Sequence, residues 1–119
     1  MNAALAGLRV LVVEDEAMVA MLVEDLLTDL GCVVVDVAGT LEQGLAAAVK
    51  TIDGAILDIN LGGAKVFPIA DVLSARGVKF LFASGYGSGA AEGHYAGHPV
   101  LPKPFRRDAL ETMLVAALT

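Results

Sequence analysis

The chain has 119 residues, 56% of them hydrophobic and 18% charged, with a formal net charge of −6. That length fits one domain rather than two, the apolar content excludes a disordered chain, and the acidity excludes a general nucleic-acid footprint. The longest apolar run, 17–23, is too short to span a membrane, no basic region marks a secretory signal, and the single Cys32 cannot close an internal disulfide, so a cytoplasmic protein without nucleic-acid or membrane partners is expected.

In chain order, 9–13 is a short β-branched run and reads as a buried strand. Acidic residues follow, and then 17–30 has helical spacing. Met18, Leu22, Leu26 and Leu30 recur every four residues and are expected to face the core, with Glu24, Asp25, Thr28 and Asp29 opposite. Gly31 supplies the helix stop. A second strand is expected over 32–37, a helix capped by Thr40 over 40–50, and a third strand over 54–58 that ends on a carboxylate. Residues 66–76 read as a helix with Pro68 tolerated in its first turn and Gly77 ending it. Strands over 78–83 and 100–101 follow, and 105–118 closes the chain as an amphipathic helix offering Met113, Leu114, Ala117 and Leu118 to the core.

Alternating strands and helices imply a parallel sheet with right-handed crossovers. Five strands fit an α/β, flavodoxin-like, doubly wound layout of order 2-1-3-4-5. The covering element before the fifth strand falls in 85–97, which has five glycines and little apolar periodicity, so the fourth helix is expected to be degenerate.

Sites in open parallel sheets form beyond the carboxyl ends of the strands. Those ends carry Glu14, Asp15 and Glu16 after the first strand, Asp58 after the third, Ser84 after the fourth and Lys103 after the fifth. Alone, each has an ordinary structural reading: an acid complementing a helix N-terminus, a turn residue, a cap, a solvated charge. Together the acids would repel, by about 4 kcal/mol for two charges ~4 Å apart at an effective dielectric near ~20. A hard cation relieves that repulsion, and oxygen donors suit Mg²⁺. A carboxylate beside Mg²⁺ can act as a nucleophile toward phosphorus, which gives Asp58 a role; Lys103 would pair with a phosphoryl oxygen and the Ser84 hydroxyl would donate to another.

At these residues nearly the whole chain resembles the receiver domains of two-component response regulators (CheY-like). Glu14-Asp15 matches the family's acid pair, Asp58 in Ile-Leu-Asp-Ile-Asn-Leu its phosphoacceptor, Ser84 its Thr/Ser position, and Lys103 in Pro-Lys-Pro-Phe its lysine. The resemblance implies a metal site of Glu14, Asp15, Asp58 and the backbone carbonyl of Asn60, and a cis peptide between Lys103 and Pro104. It also implies a phosphoryl donor that is a histidine kinase or phosphotransfer protein, and with it an effector partner or a role as phosphate sink. A protein that catalyses its own phosphorylation and dephosphorylation, and is otherwise no enzyme, is the expectation. Phe82-Ala-Ser-Gly-Tyr-Gly87 is similar to a single-domain subclass with a Phe-Ala-Thr-Gly-Tyr-Gly signature. Receivers usually carry an aromatic three residues before the lysine; Val100 stands there, with no ring to rotate. A single receiver domain over 1–119 without an output domain is therefore expected, as a monomer or weak dimer, with the 85–97 segment carrying the signal. Tyr86 would either shield the acyl phosphate or pack on the loop.

Other signals carry less. Gly85-Tyr-Gly-Ser-Gly-Ala90 follows the fourth strand with only 29 residues left, too few for a dinucleotide-binding half. A flavin phosphate would meet Glu14, Asp15 and Glu16. A Mg²⁺-dependent phosphatase of the haloacid-dehalogenase type is the rival enzyme, but it needs a second Asp two residues after its nucleophile, where this chain has Asn60. His94 and His98 lack metal-ligand spacing and read as solvated, as do Arg106 and Arg107; Cys32 reads as a buried strand residue.

Overall fold

Strands and helices alternate as the apolar runs require. The computed structural model describes residues 2–85 and 93–119. In order they form β1 (Arg9–Val13), α1 (Ala17–Leu30), β2 (Val33–Ala38), α2 (Leu41–Ala47), β3 (Gly54–Asp58), β4 (Asn60–Leu61), β5 (Ala64–Lys65), α3 (Phe67–Ala75), β6 (Lys79–Ser84), β7 (Val100–Pro102) and α4 (Arg107–Leu118). Five strands make one parallel sheet of order β2-β1-β3-β6-β7, the expected 2-1-3-4-5 arrangement, and β4 and β5 form a separate antiparallel hairpin. Between β6 and β7 the described residues include a short 3₁₀ turn, Gly93–Tyr95. Tyr86 and most of the glycine-rich stretch lie outside the described residues, as does the His94 side chain.

Because side chains alternate along a strand, the sheet divides the core into two layers. Leu11, Val13, Ala55, Leu57, Phe80 and Phe82 face α2 and α3. Val10, Val12, Ile56, Leu81 and Ala83 face α1 and α4. Burial of both faces accounts for the high apolar fraction of so short a chain.

The buried stripe of α1 differs from the expected one. Ala20, Val23, Leu27 and Leu30 are buried, whereas Met18 and Met21 are 84% and 63% exposed and Leu22 is also exposed. A strict four-residue repeat gains about 40° per step on a 3.6-residue helix, so only alternating steps of three and four stay against a sheet. Gly31 closes α1 in the left-handed conformation, φ +98. In α2, Thr40 Oγ1 accepts from the Gln43 amide at 3.1 Å, as a cap should. That helix stops at Ala47, short of the expected Lys50, and past its end the Arg76 guanidinium donates to the carbonyls of Ala48 and Lys50. The last helix buries Leu110, Leu114 and Leu118, with Met113 and Ala117 only partly covered.

Two solvated assignments need correction. His98 stacks on Phe80, with ring centroids 5.4 Å apart and planes 6° apart, at the edge of an aromatic group containing Phe67, Phe82 and Tyr95. Arg107 pairs with Asp29 of α1 at 2.6 Å, although both remain half exposed. Cys32 is buried, one residue ahead of β2 rather than within it. Among the described residues, no helix is long and apolar enough to cross a membrane.

Candidate functional site

The carboxyl ends of β1, β3, β6 and β7 bring together Glu14, Asp58, Ser84 and Lys103, as parallel pairing requires. Register aligns Val13 with Leu57, Asp58 with Ala83 and Ser84 with Pro102, so residues far apart in sequence end on one edge. Asp15 follows Glu14, and Asn60 opens the hairpin. An open cleft of about 470 Å³ lies over this edge, lined by Asp15, Glu16, Asp58, Asn60, Lys103 and the backbone of Gly62, Gly63 and Gly85.

Lys103 is the central cation. Its Nζ lies 2.7 Å from Glu14 Oε1 and 3.0 Å from Asp58 Oδ2, and both acids are buried, 4% and 5% exposed. Burial works to lower the lysine's pKa, but the hydrogen bonds and charges of Glu14 and Asp58 outweigh it and hold the ammonium above its ordinary value. Asp58 Oδ1 accepts from the Asn60 amide at 3.3 Å. Ser84 is buried beside this pair, and its carbonyl accepts from the Lys103 amide at 3.1 Å. The Lys103–Pro104 peptide is cis, as the family resemblance implied.

Glu14, Asp15 and Asp58 each offer a carboxylate oxygen, and these oxygens lie within 4.8 Å of one another. Three hard oxygen donors with one exposed side open to solvent fit a divalent cation that keeps part of its water shell. Asp15 is aimed by the hairpin: its Oδ2 accepts from the Gly62 amide at 3.0 Å. Sequence reasoning missed this hairpin and with it Gly62 and Lys65, whose Nζ donates to Asn60 Oδ1 at 2.8 Å. The signal available was the Gly62-Gly63 pair, since two adjacent glycines between short apolar residues mark a tight hairpin turn.

Glu14 carries the large electrostatic anomaly. Burial strips water from its carboxylate and pushes its pKa from an ordinary 4.5 up to about 7; Lys103 and the Glu16 amide oppose this, and neighbouring Asp58 reinforces it. The folded state therefore holds a proton between pH 4.5 and 7 that the unfolded chain has already released. Stability contributed by this group is full below about 4.5 and is lost as pH rises to about 7, on the order of 3 kcal/mol. Denaturation in a chelating buffer should show that decline in the wild type and a flatter profile for Glu14→Gln. Asp36, lowered chiefly by its hydrogen bond from Lys50, titrates below this window and leaves the comparison clean.

No family model matches this chain, and no curated protein matches it. Solved structures do. SdrG from Sphingomonas melonis Fr1 is 39% identical, with 96% of this chain and 97% of that chain covered at a TM-score of 0.79. The BeF3-activated conformation of SdrG, from Pseudomonas melonis Fr1, is 38% identical over 93% of this chain and 96% of that one, also at 0.79. The receiver domain of the PhyR response regulator from Erythrobacter litoralis is 26% identical over 96% and 92%, with a TM-score of 0.82.

Proposed function

Because the chain belongs to the receiver domains of response regulators, we propose that it accepts a phosphoryl group on Asp58 from a phosphohistidine of a histidine kinase or phosphotransfer protein. The observation that carries this reading is a buried carboxylate paired with a lysine ammonium at the floor of a solvent-open, acid-lined cleft. An Asp58 oxygen attacks phosphorus; the O–P bond forms as the N–P bond breaks, and the imidazole nitrogen takes back its electron pair. Lys103 meets charge on a phosphoryl oxygen, and Ser84, at the end of the neighbouring strand, donates its hydroxyl to another. Glu14, Asp15, Asp58 and the Asn60 carbonyl would hold Mg²⁺, which supplies positive charge beside the phosphoryl oxygens.

That the donor is a protein is supported by the surface next to the cleft. A groove of about 290 Å³ lined by Val19, Leu22, Pro104 and Phe105 runs from Lys103 toward α1, where Met18 and Met21 stand in solvent. Exposed methionines adapt to an apolar partner. In this role the protein is a cytoplasmic switch or phosphoryl carrier that catalyses its own phosphorylation and dephosphorylation and has no metabolic substrate.

The test is phosphotransfer from a panel of radiolabelled histidine kinases, with and without Mg²⁺. A hydroxylamine-labile label that needs Mg²⁺ is expected. Mg²⁺ alone should stabilise the chain by about 1.4 kcal/mol at tenfold excess over its Kd, and Asp15→Asn should remove most of that gain. A melting curve indifferent to millimolar Mg²⁺, together with no label from any kinase, would overturn the proposal.

A further inference from the structure

We propose that Met18 and Met21 are a redox modification site: a peroxide converts both to sulfoxides, and the oxidised face of α1 rejects a protein phosphoryl donor while Asp58 stays competent. This rests on the protein-donor reading above. Both residues stand on the outer face of α1, about one turn apart, 84% and 63% exposed. A thioether reacts through its sulfur lone pair, so exposure decides which methionine oxidises first. Met113 of α4 is partly covered by the core layer it packs against, and Met1 lies outside the described residues. The remaining sulfur, Cys32, is buried, and burial pushes its thiol pKa up, which leaves little of the thiolate that reacts with peroxide.

Their position gives the modification a consequence. Glu16 and Lys103 line both the acidic cleft and the adjoining apolar groove, whose other walls are Val19, Leu22, Pro104 and Phe105. A protein that brings a phosphohistidine to Asp58 therefore also covers the first turns of α1, where Leu22 lies one turn beyond Met18. Acetyl phosphate, by contrast, is small enough to enter the cleft of about 470 Å³ without touching α1.

In the oxidation, the sulfur lone pair attacks one peroxide oxygen. An S–O bond forms, the O–O bond breaks, and the second oxygen leaves as hydroxide, which takes the proton from the first and becomes water. Sulfur is oxidised by two electrons and the peroxide is reduced by two. A dithiol reverses the change, becoming a disulfide as the sulfoxide oxygen departs in water. The sulfoxide oxygen is a strong acceptor, and an apolar partner that covers it removes its water without supplying a donor.

The experiment treats the whole protein with hydrogen peroxide, removes the oxidant and maps sulfoxides by peptide mass spectrometry. Met18 and Met21 are expected to oxidise before Met113. Phosphotransfer from a histidine kinase that labels the untreated chain should then slow about five- to hundredfold, the range one unpartnered polar group at an apolar contact supports. Labelling by acetyl phosphate and Mg²⁺ should keep its rate, and methionine sulfoxide reductases with a dithiol should restore kinase transfer. The double variant Met18→Leu, Met21→Leu, whatever its starting rate, should accept equally before and after peroxide. Earlier oxidation of Met113, kinase transfer indifferent to peroxide, equal slowing with acetyl phosphate, or equal slowing in the leucine variant would each overturn the assignment. An untreated chain that takes no label from either donor overturns the phosphoacceptor reading and this proposal together. Label from acetyl phosphate but from no kinase removes the protein donor and the proposal with it, whereas a chain labelled by both and indifferent to peroxide overturns only the role of the methionines.

Discussion

Asp58→Asn is expected to take no label from a kinase that phosphorylates the wild type, while the chain stays folded. Asparagine keeps the shape of the side chain, and its single oxygen can replace one of the two that accept from the Asn60 amide and from Lys103. It lacks the anionic oxygen that attacks phosphorus, so label should fall to background rather than by a modest factor. Stability should hold or rise. Lys103 retains Glu14 as its counter-ion at 2.7 Å, and Glu14 loses the neighbouring charge that helps raise its pKa. Far-UV circular dichroism and thermal melts check the fold; labelling at full stoichiometry in this variant would place the acceptor elsewhere.

The largest stability effect is expected at Phe82→Ala, a loss of about 3–5 kcal/mol. Phe82 is fully buried in β6, between Leu57 of β3 and Val100 of β7 in register. Its ring meets Phe67 of α3, Phe80, Tyr95 and His98 within centroid distances of 5.4–5.8 Å. Truncation removes apolar burial and leaves a void that a strand fixed on both sides cannot close. For a domain holding roughly 5–15 kcal/mol in all, the melting temperature should fall on the order of 10–20 °C. Urea unfolding measures the loss directly, and a value under about 1 kcal/mol would mean that α3 collapses into the space.

Legibility followed the strength of the local signal. Five apolar runs ended in polar residues, and their order in the chain was enough to place Glu14, Asp58, Ser84 and Lys103 on one edge, because parallel pairing leaves little choice of where strand ends go. The stripe of α1 was misread because Met18 and Leu22 look like core residues by type. Only the sheet beneath the helix selects Ala20 and Val23 instead. The β4–β5 hairpin escaped because two-residue strands have no measurable period, although Gly62-Gly63 marked the turn. His98 carried no signal at all: its ring partner, Phe80, lies on β6, 18 residues earlier in the chain, and is brought to it by tertiary packing.

The sheet has an outermost strand in β2, and Val33 and Val37 there are open to solvent. A run of valines on a free edge is the composition that recruits a strand from another molecule and seeds aggregation. Asp36 interrupts it. Its Oδ1 accepts the Val37 amide at 2.9 Å and its Oδ2 holds Lys50 at 2.7 Å, so one edge donor is already spent and a charge pair sits where a neighbour would dock. Colloidal behaviour in concentrated solution is thereby tied to a residue at the sheet edge, and this edge can stay rich in valine without becoming adhesive.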